Sequence, residues 1–232
     1  MAEARALSMK EIAADLRGPW GVQERRTSWA TAYLYRAPSL PVVWLLARLG
    51  VRPITVTALA LLLALSEPML VALLPVGSAA VCLFLAAAAF QILDCADGTL
   101  ARITGQTSRF GGDVDFLTDM AQWGLLYLSI GMLADATLQT GWMWTALAGV
   151  AAWGRLLTRV IRDRLRGEAP PEPRGPLRGW QWPFAFFDGL SGLIPFLALA
   201  GSRLDIAVMA LMAYSLIDIA DSVRPIFSAR RA

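Results

Sequence analysis

The chain has 232 residues, of which 56% are hydrophobic and 17% charged, with a formal net charge of +3 and no histidine. It is too apolar for a soluble domain, and at this length it suits about five to seven membrane spans. Its charge balance gives no reason to expect a nucleic-acid partner. Residues 1–26 are polar and of mixed charge, without the apolar core and small-residue cleavage site of a signal peptide, and read as a cytoplasmic N-terminal tail. Residues 27–50 read as an interfacial juxtamembrane segment. There Trp29, Tyr33, Leu34, Leu40, Val43 and Trp44 mix with Arg36 and Arg48, and Pro38 and Pro41 interrupt any long helix. Such a mixture suits the headgroup layer, with aromatic rings at the boundary and arginines reaching phosphates.

Apolar runs follow near residues 54–75, 76–101, 111–134, 138–161, 183–201 and 205–226. Residues 51–227 are therefore expected to form an all-α integral membrane domain of six transmembrane helices, with an N-terminal interfacial amphipathic helix before it and a short tail, 228–232, after it. Val76 to Leu93 and Ala136 to Gly154 carry no charge, and each is long enough to cross roughly 30 Å of hydrocarbon. The last run is weaker, since only Ile206 to Ile217 is uncharged, and its acidic end, Asp218 and Asp221, calls for a wet cavity or the interface. Glu67, beside Pro68, reads as a kinked helix end that reaches water. On this topology Arg203 alone of the 21 Lys and Arg falls on the far side of the membrane. The positive-inside rule then makes both termini cytoplasmic, in an inner (plasma) membrane. Cys82 and Cys95 are 13 residues apart on one expected helix. At about 20 Å they are too far apart for a disulfide. The Pro- and Arg-rich stretch Glu168 to Arg178 reads as a cytoplasmic loop.

The chemistry concentrates in one stretch. Asp94, Asp97, Gly98 and Ala101 stand at i, i+3, i+4 and i+7, one stripe of a helix that is acidic at one end and nearly bare at the other. Gly111, Asp115 and Asp119 stand at i, i+4 and i+8, again one face. Gly105 to Ser108 supply turn chemistry between them, with Ser108 as N-cap, so the two helices should run antiparallel and aim four carboxylates at one point. Four ionised carboxylates near hydrocarbon repel one another unless some are protonated or cations neutralise them. Hard oxygen ligands suit magnesium, manganese or calcium, and two divalent ions would balance the four charges. Asp113 lies off the stripe and reads as a surface or capping residue.

The spacing Asp-x2-Asp-Gly-x2-Ala-Arg-x8-Gly-x3-Asp-x3-Asp, complete from Asp94 to Asp119, resembles that of the CDP-alcohol phosphotransferases (CDP-alcohol phosphatidyltransferases). Pro53 and Thr57 are similar to the Pro-Asn-x-x-Thr that opens the family's first membrane helix, with Ile54 where asparagine is usual. The resemblance implies an interfacial helix, a six-helix core, a homodimer and Mg2+ as cofactor, with Mn2+ as the alternative and two ions as the expected load. It implies Asp94, Asp97 and Asp115 as metal ligands, and Asp119 as general base that also touches a metal. Thr57, Asp94, Asp97, Gly98, Ala101, Arg102 and Gly111 would meet the CDP moiety, the glycines and alanine by lacking bulk and Arg102 by holding a phosphate or the cytidine carbonyl. The partners implied are a CDP-alcohol donor, an alcohol acceptor and the lipid bilayer.

Arg155, Arg159 and Arg162 form a second stripe, at i, i+4 and i+7. Arg162 is expected to snorkel to lipid phosphates. Arg155 starts deeper, where a desolvated guanidinium needs an anion. That anion is either the phosphate of an acceptor, which Arg155 and Arg159 would bind, or one of Asp188, Asp218 and Asp221. Three activities fit these residues: transfer from CDP-diacylglycerol to a small polar alcohol, transfer from a soluble CDP-alcohol such as CDP-choline to a lipid alcohol, and cation binding or transport without catalysis. The stripe of Gly98, Ala101 and Arg102 argues against the last, because cation transport has no use for a nucleotide-shaped groove. The arginines favour an anionic acceptor and hence the first.

Overall fold

Ser8 opens the first helix with a reciprocal cap. Its hydroxyl accepts from the Glu11 N–H at 3.3 Å, and the Glu11 carboxylate accepts from the Ser8 N–H at 2.8 Å. The computed structural model describes residues 8–166 and 182–228, and all regular structure within them is helical. The Glu168 to Arg178 stretch and the tail 229–232 lie outside the described residues. Four short helices come first: α1 (Met9–Asp15), α2 (Pro19–Thr27), α3 (Trp29–Leu34) and α4 (Arg36–Arg48). The described part of the expected polar tail, residues 8–26, is thus largely helical. Its anchor is Ile12, fully buried with Val43, Val56, Ala96 and Leu100.

Pro38 and Pro41 do not interrupt α4, contrary to the sequence expectation. Pro38 lies in the first turn, where a backbone N–H has no intrahelical partner to lose. Pro41 removes one backbone hydrogen bond. Burial of Ser39 and Val43 on either side accompanies that loss.

Longer helices follow: α5 (Pro53–Leu73), α6 (Val76–Thr104), α7 (Arg109–Leu138), α8 (Met143–Arg166), the short α9 (Trp182–Gly189) and α10 (Leu204–Ser228). A 3₁₀ segment, Leu190–Leu199, continues α9 and contains Pro195. These elements coincide with the six apolar runs. Among the described residues, three helical stretches, Pro53–Leu73, Val76–Thr104 and Gly201–Arg224, are long and apolar enough to cross a membrane. On α5 the bulky Leu59, Leu62, Leu65, Met69 and Leu73 are exposed while Ala60 and Ala64 are buried. Small residues inside and large apolar ones outside is the distribution expected where lipid, not water, surrounds the helices.

Packing divides the chain into two compact units. The first comprises Met1–Leu63, Ala88–Thr118 and Pro173–Leu193. Here α3 and the residue that follows it are fastened to α9 and the 3₁₀ segment after it. Trp29 stacks on Phe186 at 5.5 Å and donates from its ring nitrogen to the Phe186 carbonyl at 3.0 Å. The Tyr35 hydroxyl donates to the Gly192 carbonyl at 2.9 Å. Burial pushes the Tyr35 phenol up to about 12, which keeps it a donor at any physiological pH. Gly189 and Gly192 permit this approach, since a Cβ would come within 2.1 Å of Trp29 and 2.6 Å of Thr31 respectively.

The second unit comprises Ala64–Ala87, Asp119–Glu172 and Ile194–Ala232. In it α8 packs on α10, with Gly154 facing Ile219 and Ser215. Gly131 of α7 lies so close to α8 that a Cβ would stand 2.7 Å from both the Ala148 Cβ and the Trp144 carbonyl oxygen. Asp135 caps α8, accepting from the Trp144 N–H at 3.0 Å and the Thr145 N–H at 2.8 Å, and from the Thr140 and Thr145 hydroxyls. Glu67 does not reach water. It is fully buried and accepts from Gln122 at 2.9 Å, and α5 passes through Pro68 without ending.

Candidate active site

The turn between α6 and α7 is set by its own residues. Gly105 adopts a φ of +67°, its N–H donating to the Arg102 carbonyl and that of Gln106 to the Ala101 carbonyl, a closure that stops α6. Ser108 then accepts from the Gly111 N–H at 3.0 Å, the N-cap expected from the sequence. A Cβ on Gly111 would stand 3.1 Å from that Ser108 oxygen, so the cap itself uses the space.

This turn brings Asp94 and Asp97 of α6 and Asp115 of α7 together. One carboxylate oxygen from each lies within 4.8 Å of the others, and Asp97 is buried while its companions are half-buried. Three carboxylates so placed fit a hard divalent cation, which takes oxygen ligands and offsets their repulsion. Thr57, expected to meet the nucleotide, donates its hydroxyl proton to Asp97 at 2.6 Å. It thereby fixes the direction of a carboxylate, the usual task of a group standing behind a metal ligand.

The remaining motif residues are on the same two helices. Gly98 is overlain by the Arg102 guanidinium, whose Nη1 would lie 3.4 Å from a Cβ there. Arg102 Nη2 also donates to the Thr99 hydroxyl at 3.2 Å. Ala101, half-buried, adds only a methyl to the stripe. Asp119, one turn beyond Asp115 on α7, is grouped with the second unit, where it pairs with Arg159 at 3.1 Å.

Arg155 has a carboxylate partner. It pairs with Asp218, which is buried and also takes Arg162 at 2.5 Å, and its guanidinium lies over the rings of Trp123 and Tyr214 at 5.1 and 5.2 Å. Arg162 is held by Asp218 and Asp221. Cys82 and Cys95 are both free thiols, as their separation required.

Residues 50–217 match the family model for CDP-alcohol phosphatidyltransferase. The chain belongs to that family. Comparison with curated proteins gives no match. The match begins just before α5, so α1 to α4 lie outside it, as do Asp218 and Asp221 at the other end. Membership gives the general activity, transfer of a phosphate-bearing group from a CDP-alcohol to an alcohol, by a membrane protein with a divalent metal. The motif reading overlooked Thr99 on the motif helix, Arg36, which binds that helix at Thr99 and the Cys95 carbonyl, and Glu24, which pairs with Arg36. Thr99 occupies a position the pattern leaves free, and Arg36 and Glu24 belong to the short helices before the matched region. The only sequence signal for them is an arginine, Arg36, among apolar residues that would leave it in need of an anion.

Proposed function

We propose that this CDP-alcohol phosphatidyltransferase uses CDP-diacylglycerol as donor and a small polar alcohol as acceptor, the acceptor being a phosphorylated polyol such as inositol phosphate or glycerol phosphate. The convergence of Asp94, Asp97 and Asp115 supports the phosphotransfer chemistry, and the observation that carries the choice of an anionic acceptor, and with it this donor, is the exposed Arg159 beside Asp119. The three converging aspartates would hold Mg2+, one or two ions, which when bound orients the donor pyrophosphate and offsets charge on the departing CMP. Arg102, which lies over Gly98, contacts the nucleotide or its phosphates beside the small Ala101 and Gly111. Asp119 takes the proton of the acceptor hydroxyl as its oxygen attacks the phosphorus distal to cytidine. The bond from that phosphorus to the CMP oxygen breaks, leaving CMP and a new phosphodiester.

Arg159 lies beside Asp119, and its side chain is 43% exposed against 12% for Arg155. Arg159 is therefore the arginine offered to an acceptor phosphate, with Arg155 behind it, anchored by Asp218. All six apolar elements cross the membrane in this reading, with α3 and α4 in the headgroup layer and the aspartates on the arginine-rich cytoplasmic side. A lipid donor keeps its tails in hydrocarbon and its nucleotide in water, so the site belongs at that boundary. Two copies form the working unit.

The test is CMP release by the purified, reconstituted protein across CDP-diacylglycerol and soluble CDP-alcohols, each with a set of phosphorylated and unphosphorylated acceptors. The expected result is turnover with CDP-diacylglycerol and a phosphorylated acceptor, lost in Asp119→Asn with melting temperature retained. Turnover only with a soluble donor and a lipid alcohol would overturn the donor assignment, and full activity in Asp119→Asn would remove it as the base.

A further inference from the structure

Thr99 is fully buried on α6, between the metal-ligand candidate Asp97 and Arg102. A threonine hydroxyl has one proton to give and two lone pairs to fill. All three capacities are used here. Thr99 donates to the Cys95 carbonyl at 3.0 Å, accepts from Arg36 Nη1 at 3.0 Å, and accepts from Arg102 Nη2 at 3.2 Å. Arg36 in turn is fixed from two directions. Its Nη1 also donates to the Cys95 carbonyl at 2.7 Å, and its Nε and Nη2 donate to Glu24 at 2.9 and 2.6 Å. Glu24 offsets the charge of Arg36, which lets a second guanidinium share the same hydroxyl.

Arg102 runs back toward the start of its helix, as helical side chains do, and lies over Gly98, its Nη1 3.4 Å from where a Cβ would stand. A free arginine side chain gives up rotamer entropy when it is ordered. A residue that orders it before the ligand arrives removes part of that cost from binding. We propose that Thr99 and Arg36 are positioning residues that hold the Arg102 guanidinium ready for the phosphates or base of a cytidine nucleotide. The inference rests on the reading of Arg102 as a nucleotide contact. Its consequence is that α2 and α4, outside the family-matched region, support the donor site.

The test uses the full chain in detergent with saturating Mg2+ and CDP as probe, its binding followed by calorimetry. Arg102→Gln is the reference and should weaken CDP binding about tenfold, the scale of one lost hydrogen bond from a charged donor. Thr99→Val should approach that loss, and Thr99→Ser, which restores the hydroxyl, should bind within about twofold of the parent. Arg36→Gln should also weaken CDP, and the double variant Thr99→Val with Arg36→Gln should be no weaker than Thr99→Val alone, because Arg36 acts through Thr99. Mn2+ affinity without nucleotide should be unchanged throughout, which a general disturbance of α6 would not allow. Normal CDP binding by Thr99→Val beside a weakened Arg102→Gln overturns the positioning role alone. Normal binding by Arg102→Gln overturns the reading of Arg102 and this inference with it. Should Thr99→Val not fold, Arg36→Gln decides the same question from another helix.

Discussion

Thr57→Val separates two roles for a residue of the motif region. Thr57 and Asp97 are each only 5% exposed, and 2.6 Å separates the hydroxyl from the carboxylate oxygen, within the range of a charge-assisted O–H to O⁻ bond. The same hydroxyl lies 3.2 Å from the Pro53 carbonyl, but it has one proton, and the shorter contact to the charged acceptor takes it. Valine keeps the shape and removes the donor. A hydrogen bond to a charged group is worth about 1.5–3 kcal/mol, and its loss from behind a metal ligand lowers metal affinity by about 10–100-fold. An opposing effect is smaller: without the donor the carboxylate becomes a slightly stronger electron donor to a cation. Orientation dominates, because a buried carboxylate turned away from its neighbours leaves two ligands where three converged. The expected result is a Mn2+ dissociation constant raised at least about tenfold in Thr57→Val, measured by electron paramagnetic resonance, with Thr57→Ser near the parent. An unchanged Mn2+ affinity together with a raised KM for the CDP donor would refute the argument and return Thr57 to direct nucleotide contact.

Three further substitutions test the scaffold of the second unit. Gly131→Ala forces a methyl into the Ala148 and Trp144 contact and should cost about 1–3 kcal/mol, read as a lower melting temperature in detergent. Gly149→Ala, where nothing lies within 4 Å, should leave stability unchanged or raise it by up to about 1 kcal/mol. Asp135→Ala removes the cap of α8 and should lower stability by about 2 kcal/mol while kcat of the folded fraction is retained.

The aspartate site was legible because it depends on local geometry. Helical spacing alone puts Asp94 and Asp97 on one stripe and Asp115 on another, and Gly105 with Ser108 specifies the turn that makes the stripes face each other. What the sequence hid depends on partners distant in the chain. Glu67 looked like a helix end in water because the residue that binds it, Gln122, is 55 positions away. The polar N-terminal stretch looked like a tail because one isoleucine among charged neighbours barely registers in composition, yet Ile12 is fully buried. Pro38 and Pro41 looked like breaks because proline rules weigh the lost N–H and not the tertiary packing that offsets it.

Arg36 joins the legible and the hidden parts. Its segment was read from composition as interfacial, with arginines directed at lipid phosphates, but this arginine is directed inward, to Glu24, the Cys95 carbonyl and Thr99. A guanidinium with 15% side-chain exposure is better satisfied by a carboxylate and a helix carbonyl than by a headgroup it would have to reach. The general activity belongs to the matched family region, while on the proposed role of Thr99 and Arg36 the fit of this chain's donor site is tuned from helices that lie before it. Substitutions in α2 and α4 are accordingly expected to change nucleotide affinity before they change the identity of the reaction.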